Sequence, residues 1–292
     1  MVTLALVGAG RWGRNYLATA KRIAGVEIRY IIAARAASAA RFSSDYQVLH
    51  DIAEIPANVH GIIIATPPHT HYGIAKKLLE KGRNLLIEKP LALFLAEAED
   101  LEHVWKKGDA KVLVGHVQLY NPAYRTAKTL IPSLGKLTKV SFKGIVSPPR
   151  KDVSVLWDWG PHPASLFLDL IDEPITDISA SGNEGHVTFV LHYANGATAE
   201  AEIRWTGNEK KRELVIESTT GKIIFDDQEK EHKVEIELKG QPVSFPSYDD
   251  ASPLSVELEE FVRAIRGEGR ITSDMETGVR VTELLARIEE KL

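Results

Sequence analysis

The sequence predicts an α/β protein in which a doubly wound parallel sheet, over residues 1–116, is followed by an α+β domain, over residues 117–292, with an open and mostly antiparallel sheet. Two observations support this prediction. In the first part, short runs that are apolar on both faces alternate with stretches of helical periodicity, which is typical of parallel strands covered by helices. In the second part, apolar and polar residues alternate with a period of two, which is typical of antiparallel strands.

The elements of the first part follow one another in strand–helix order. The predicted strands are residues 4–7, 28–33, 61–65, 84–87 and 112–114. The predicted helices between them are residues 12–24, 36–44, 72–81 and 92–107. This alternation predicts a sheet with helices on both faces.

The second part begins with helices and continues as a sheet. A short helix is expected to open at Asn121, and another spans 157–170. The predicted strands are residues 186–193, 197–205, 214–218, 222–226 and 234–238, and two helices, 254–266 and 275–291, follow them. Because an open sheet with one polar side must be covered on its other face, helices or a second subunit are expected to pack there.

Composition excludes several classes of protein. The 40 acidic and 36 basic residues give a net charge of −4, which provides no electrostatic footprint for nucleic acid or for an anionic membrane. The chain contains no cysteine, so disulfides, thiolate nucleophiles, Cys-ligated zinc and iron–sulfur clusters are excluded. No segment resembles a signal peptide or a membrane span, and we therefore expect a cytoplasmic protein.

A glycine-rich loop follows the first predicted strand and opens the first predicted helix. Gly8 permits a tight turn, Gly10 lets the backbone approach a pyrophosphate, and Gly13 lets helix and strand pack closely. The helix N-terminus supplies unpaired N–H groups and a positive dipole for the phosphates. This context predicts a Rossmann dinucleotide site that also includes Arg11 and Trp12.

The end of the second predicted strand bears on the choice between NAD and NADP. An acidic residue at this place would bind the ribose 2′-hydroxyl of NAD. The sequence instead has Arg35 and then Ser38, with no carboxylate. Because a guanidinium can pair with a 2′-phosphate, we expect NADP as the cofactor, with NAD as the alternative.

A lysine lies where the strand over 84–87 ends, within Glu88-Lys89-Pro90. In open α/β sheets, ligands bind outside the carboxyl ends of the strands. Lys89 is therefore expected to point toward the nicotinamide end of the cofactor.

With these motifs the sequence resembles the glucose–fructose oxidoreductase / inositol dehydrogenase / MocA family. The stretches that carry the resemblance are residues 8–13, 65–71, 88–90, 115–116, 121–123 and 157–162. The resemblance implies NAD(P)-dependent transfer of a hydride between nicotinamide and a secondary carbon of a sugar or polyol. It also implies a homodimer or homotetramer associated through the C-terminal sheet.

The resemblance further implies roles for particular residues. Lys89 matches the active-site lysine of the family, and Asp158 and His162 match its Asp/His pair, so these three are the predicted catalytic residues and contact the substrate. The cofactor site then extends to Thr66, Pro67, His71, Glu88 and Lys89. His69 and His71 are close enough in sequence to suggest a metal pair, but we expect them to lie near the nicotinamide and expect no metal.

The chemistry of the catalytic residues fits this assignment. Asp158 and His162 are four residues apart, so on a helix they share one face, and the carboxylate can orient the imidazole. An imidazole with a pKa near working pH can accept or donate the proton of a hydroxyl. Lys89 can hold that oxygen and stabilise the charge that develops on it.

The substrate side departs from the family pattern. Pro163 and Ser165 stand where many members carry a further Asp, which makes a free polyol a poorer expectation. Other details resemble members that act on nucleotide-linked sugars, with Tyr120 and Asn121 lining the sugar site and Arg150 meeting an anionic group. Each of these also has a purely structural interpretation, as a helix start or a loop cation.

Two other functions remain open at the level of sequence. One is a non-catalytic NADP-binding regulator, which would not need Lys89, Asp158 and His162. The other is elimination or hydrolysis of a glycoside assisted by transient oxidation with tightly held NAD. Nothing in the sequence excludes the second.

Overall fold

The computed structural model describes residues 1–33, 42, 44–146, 148–207 and 210–292 of the chain. Two compact units are described separately below. The first comprises Met1–Val117 and Pro253–Thr282, and the second comprises Gln118–Ser252 and Glu283–Leu292. The sequence-based division placed everything after residue 116 in one domain, whereas the structure groups 253–282 with the first unit. Among the described residues, no helix has the length and apolar character needed to cross a membrane.

The described helices and strands are numbered here in chain order. The helices are α1 (Gly13–Ala20), α2 (His71–Leu79), α3 (Leu95–Trp105), α4 (Pro122–Leu130), α5 (Val155–Trp159), α6 (Pro161–Leu170), α7 (Pro253–Ile265) and α8 (Met275–Glu289). The strands are β1 (Val2–Val7), β2 (Val26–Ile32), β3 (Gln47–Leu49), β4 (Gly61–Ile64), β5 (Leu85–Glu88), β6 (Val112–Gly115), β7 (Leu137–Ile145), β8 (Ile175–Asn183), β9 (His186–Tyr193), β10 (Thr198–Arg204), β11 (Lys211–Ser218), β12 (Gly221–Asp226) and β13 (Val234–Leu238).

The first unit is built on a six-stranded sheet with the order β3-β2-β1-β4-β5-β6, in which every neighbouring pair is parallel. This confirms the predicted doubly wound sheet. The order reverses beside β1, and such a switch point is where open α/β sheets bind ligands. The glycine loop therefore lies at the carboxyl edge where a ligand is expected.

Helices cover both faces of this sheet. Helices α2 and α3 pack against each other, while α7 packs against α1 and against β6. Strands β4, β5 and β6 are consequently buried at every position. That double burial is the physical reason why these strands read as continuous apolar runs.

The second unit contains a seven-stranded sheet with the order β13-β12-β11-β7-β10-β9-β8. Strands β7 and β10 pair in parallel, and every other neighbouring pair is antiparallel. Helix α4 packs on β12 and β13, and α5 packs on β9 and β10. The predicted mostly antiparallel sheet is confirmed, and the homo-oligomer expected to form through it stays a prediction.

Three of the described strands were not predicted from the sequence. Strand β7 carries a clear alternation, with Val140 and Phe142 buried between half-buried residues, so the signal was present in the sequence. Strand β8 is a polar edge strand with Ile178 as its buried residue, and β3 has three residues. The predicted helix over 36–44 falls outside the described residues except at 42 and 44.

Candidate active site

The three glycines of the loop occupy three different environments. Gly8 has φ +94°, a conformation that side chains rarely adopt, and a Cβ there would lie 2.7 Å from the Ala65 carbonyl oxygen. A Cβ on Gly13 would lie 2.1 Å from the Gly8 carbonyl oxygen. A Cβ on Gly10, in contrast, would meet no atom of the described residues within 4 Å. Gly8 and Gly13 are therefore required by the fold itself, whereas the space at Gly10 is open for a ligand.

A cleft of about 950 Å³ opens beside this loop. Of the residues predicted to bind the cofactor, Gly8, Gly10, Thr66 and Pro67 line it. His50 and Asp51, which directly follow β3, also line it and were missed because β3 was not predicted. The volume lies in the range of known ligand sites, and the open space at Gly10 is where a pyrophosphate would approach the backbone. The residues present thus fit a dinucleotide.

Glu88 connects the glycine loop to the segment of residues 88–90, here called the lysine segment. Trp12 Nε1–H and the Tyr16 hydroxyl both contact Glu88 Oε1, the latter at 2.6 Å, and the backbone N–H of Lys89 donates to Glu88 Oε2 at 3.2 Å. Burial raises the pKa of Glu88, while the Tyr16 hydrogen bond, the Lys89 charge and the Trp12 hydrogen bond oppose that rise. Trp12 and Glu88, both predicted from sequence, are thus brought together by side-chain contact.

His71 supports the same segment from the other side. Its Nδ1 lies 2.8 Å from the Pro90 carbonyl oxygen and its Nε2 lies 2.9 Å from the Thr66 carbonyl oxygen. The ring is fully buried. Its two contacts link the loop after β4 to the residue that follows Lys89. These contacts give His71 a structural role, and its direct contact with a cofactor stays a prediction.

A second buried histidine lies at the end of β6, the strand next to β5. His116 Nδ1 is 2.8 Å from the Ser273 hydroxyl, and His116 Nε2 has no hydrogen-bond partner among the described residues. Burial, and after it the positive charge of Lys89, lowers the pKa of His116 to about 3. His116 is therefore a neutral imidazole at physiological pH.

We expect His116 to make the protein sensitive to acid. Its folded pKa of about 3 is below the unfolded value of 6.5, so below pH 6.5 the unfolded chain binds a proton that the folded chain does not. The contribution of His116 to the free energy of unfolding is therefore complete above pH 6.5 and is lost progressively as the pH falls toward 3. When the pH is lowered from 7.5 to 5.0, the free energy of unfolding should fall by about 2 kcal/mol less in His116→Asn than in the wild type. Denaturant unfolding at the two pH values measures this difference.

The matched control for this measurement is His103→Gln, since His103 is exposed on α3. It should show the same loss between the two pH values as the wild type. An equal loss in His116→Asn would mean that His116 becomes protonated in the folded protein.

In the second unit, Asp158 lies on α5 and His162 on α6, with Gly160 between the two helices. Both side chains are buried. Asp158 Oδ1 accepts from Arg150 at 3.4 Å, and Asp158 Oδ2 accepts from Trp205 Nε1 at 3.2 Å. Trp205 was predicted only as the end of a strand and not as a site residue, yet its hydrogen bond helps to hold the Asp158 carboxylate in place.

The other residues predicted to contact the substrate form hydrogen bonds, ion pairs or ring contacts with other side chains or backbone groups of the protein. Arg150 pairs with the carboxylates of Asp152 and Asp158, so protein anions occupy the guanidinium that was expected to meet a substrate anion. Asn121 caps α4 through the N–H of Ala123 and donates to Asp227. Tyr120 is fully buried, with the Arg125 guanidinium over its ring. Their contact with a substrate stays a prediction.

Comparisons with known proteins agree with this architecture. The sequence profile of the oxidoreductase family with an NAD-binding Rossmann fold, named for glucose–fructose oxidoreductase, inositol dehydrogenase and MocA, matches residues 2–116. A crystal structure from Magnetospirillum magnetotacticum MS-1, provisionally described as an oxidoreductase, is 31% identical, with a TM-score of 0.88 over 98% of each chain. The chain belongs to the glucose–fructose oxidoreductase / inositol dehydrogenase / MocA family.

Two further relatives of this family are named for their reactions. The scyllo-inositol 2-dehydrogenase (NAD(+)) of Bacillus subtilis (strain 168) is 24% identical over 270 residues, which cover 82% of this chain and 77% of that protein. A UDP-N-acetylglucosamine 3-dehydrogenase of Acidithiobacillus ferrooxidans shares the fold, with a TM-score of 0.90 at 20% identity over 99% of this chain and 97% of that one.

Membership in the family makes this chain an oxidoreductase with an NAD-binding Rossmann unit. The expected preference for NADP rests on Arg35 and Ser38, which both lie outside the described residues. Of the two relatives named above, the inositol dehydrogenase carries NAD(+) in its name. Arg11 lies within the glycine loop, and its side chain is exposed.

Tyr16 and Glu257 were not singled out from the sequence, and His116 entered only within a stretch that carries the family resemblance. A signal existed for Glu257, because it lies three residues after Leu254 and four before Phe261, on the buried face of α7. A carboxylate on such a face needs a partner. The partner, Tyr16, is 241 residues away along the chain, and no local pattern indicates it.

Proposed function

We propose that this protein is an NAD(P)-dependent dehydrogenase or reductase that transfers a hydride between the nicotinamide and a secondary carbinol or ketone of a sugar or sugar derivative. One arrangement within the first unit carries the proposal. An open cleft beside Gly10 fits a dinucleotide, and Glu88 joins the loop of that cleft to Lys89 at the end of β5.

Each residue has a defined part in the proposed reaction. When bound, the nicotinamide supplies the hydride chemistry itself. Lys89 holds the reacting oxygen of the substrate and stabilises negative charge on it. His162 accepts or donates the hydroxyl proton, and Asp158, fixed by Arg150 and Trp205, supports it electrostatically.

The substrate class is inferred from the relatives. One relative is named for an inositol and another for a UDP-linked amino sugar, and both names describe oxidation of a secondary hydroxyl on a six-membered ring. Pro163 and Ser165, in place of the acidic residues of many family members, favour a substrate other than a free polyol.

The proposal is tested first by the nucleotide and then by turnover. The purified protein is denatured, the released nucleotide is identified by mass spectrometry, and NAD and NADP are titrated by calorimetry. Formation of the reduced cofactor is then followed by absorbance with free polyols, aldoses and UDP-sugars. We expect nucleotide binding and turnover of a sugar derivative, and a protein that binds neither nucleotide would contradict the proposal.

Arg35 is the residue that we expect to set the choice of cofactor. If its guanidinium pairs with the 2′-phosphate, Arg35→Ala should raise the Kd for NADP by about tenfold, which corresponds to about 1.4 kcal/mol of binding free energy. The Kd for NAD should change by less than about threefold. Calorimetric titration of both nucleotides measures this ratio. Arg22→Ala, which removes an exposed arginine of the same unit, is the control. An equal change for both nucleotides would show that Arg35 does not read the phosphate.

A further inference from the structure

Two buried carboxyl groups share one tyrosine hydroxyl beneath the lysine segment. Tyr16 Oη lies 2.6 Å from Glu88 Oε1 and 2.9 Å from Glu257 Oε1. Tyr16 comes from α1, Glu88 from β5 and Glu257 from α7, and all three side chains are buried. The three groups thus form one hydrogen-bond chain within the first unit.

Both short contacts can be hydrogen bonds only if one of the two carboxyl groups is protonated. The Tyr16 hydroxyl carries a single proton and can donate to one carboxyl oxygen only. The other short contact then needs a proton on the carboxyl group itself, so that the carboxylic acid donates to Tyr16 Oη. Two ionised carboxylates around one hydroxyl would leave an unfavourable contact and two buried like charges.

The surroundings decide which group holds the proton. Glu88 accepts from Trp12 and from the Lys89 backbone as well as contacting Tyr16, and the Lys89 charge favours its ionised form. Glu257 lacks such support within the described part of the chain, since no atom there forms a hydrogen bond with its Oε2. Of the residues that the structure describes, the charged groups acting on Glu257 are Glu88 from β5 and Glu260 from its own helix, and both are acidic.

We propose that Glu257 is a protonated carboxylic acid that donates to Tyr16, so that Tyr16 donates to Glu88 and holds the Glu88 carboxylate between Trp12 and Lys89. Glu257 is then a positioning residue, acting through Tyr16 and Glu88. Its proton also keeps a second negative charge away from Glu88, whose carboxylate joins the glycine loop to the lysine. The effect on turnover rests on the proposed function of Lys89, whereas the proton assignment does not.

Infrared spectroscopy of the full-length protein tests the proton directly. At neutral pH we expect a carbonyl band from a protonated carboxylic acid that is lost in Glu257→Gln. Glu260→Gln is the matched control, because Glu260 is buried on the same helix and accepts from Thr272, and it should retain the band. Tyr16→Phe should shift the band by removing its hydrogen-bond acceptor. A wild-type band that is absent, or that persists in Glu257→Gln, overturns the assignment.

Thermal unfolding gives a second measurement on the protein without substrate. Burial raises the pKa of Glu257 well above the ordinary 4.5, so the unfolded carboxyl releases its proton at a lower pH than the folded one. Stability is therefore lost as the pH rises above 4.5. Glu257→Gln should raise the Tm more at pH 8 than at pH 5, and an equal shift at both pH values contradicts the assignment.

Turnover tests the positioning role. Glutamine can donate to Tyr16 as the protonated acid does, so Glu257→Gln should keep kcat within about threefold, whereas Glu257→Leu, which cannot donate, should lower kcat by about tenfold with a smaller change in KM. Glu88→Gln should lower kcat as well, because the anion beside Lys89 is lost. If Glu257→Gln and Glu257→Leu have equal kcat, the positioning role is overturned. If Glu88→Gln keeps the wild-type kcat while Glu257→Gln lowers it, the proton lies on Glu88 and Glu257 is the carboxylate. Failure of Lys89 itself is detected separately, by Lys89→Met.

Discussion

Replacing Lys89 with methionine is expected to lower kcat/KM by about 10²–10³-fold, since removal of one group that stabilises a developing oxyanion has an effect of this size. Methionine retains most of the length of the side chain and loses the ammonium group. Steady-state rates, measured with the sugar derivative that the screen identifies, test this prediction. The Kd for the nucleotide should change much less than kcat/KM, because in the proposed mechanism the main action of the ammonium is on the substrate oxygen.

The control for this prediction is Lys107→Met, which removes an exposed lysine after α3 and should leave the rates unchanged. Loss of Lys89 also removes a positive charge that favours ionised Glu88, so the Tm of both variants should be compared. If Lys89→Met folds, binds nucleotide and turns over at the wild-type rate, Lys89 has no part in the reaction.

Gly13→Ala is expected to destabilise the protein by about 1–3 kcal/mol, because overpacking at a close contact costs this much. The added Cβ would lie 2.1 Å from the Gly8 carbonyl oxygen, so helix α1 and the loop would have to move apart. Since the loop also forms the cleft, nucleotide affinity should fall together with stability. Denaturant unfolding and calorimetric titration measure the two effects.

Gly10→Ala separates these two effects. A Cβ at residue 10 meets no atom within 4 Å in the part of the chain that the structure describes, so the free energy of unfolding should change by less than about 0.5 kcal/mol, as for most surface substitutions. The nucleotide Kd should nevertheless rise by about tenfold or more, because the methyl group takes the space where the pyrophosphate approaches the backbone. Wild-type affinity in Gly10→Ala would place the phosphates elsewhere.

Much of the first unit could be predicted because its signals are local. A strand buried on both faces must be apolar at every position, as β4 is, and this remains visible without knowledge of its neighbours. The glycine loop is equally local, since Gly8 and Gly13 are five residues apart and in contact through one backbone oxygen. The backbone geometry of a tight turn therefore determines the residue types.

The strands that were missed have weaker local signals. Strand β8 lies at the edge of its sheet and is mostly polar, so its pairing with β9 comes from the partner strand rather than from its own composition. Helix α7 was correctly expected as a helix, but its packing on α1 and β6 could not be deduced from periodicity, which shows that a face is buried without showing against what.

The sequence by itself determined the alternating parallel strands, the dinucleotide loop and the types of residue available for chemistry, because each depends on a few neighbouring residues. Only the tertiary structure decided which of these residues meet. It brought Glu257 to Tyr16 across 241 positions and Ser273 to His116 across 157. Such contacts depend on the order of strands in a sheet and on which helix covers which face. These are properties of the whole chain, since the free energy that selects them comes from burying all the apolar faces together.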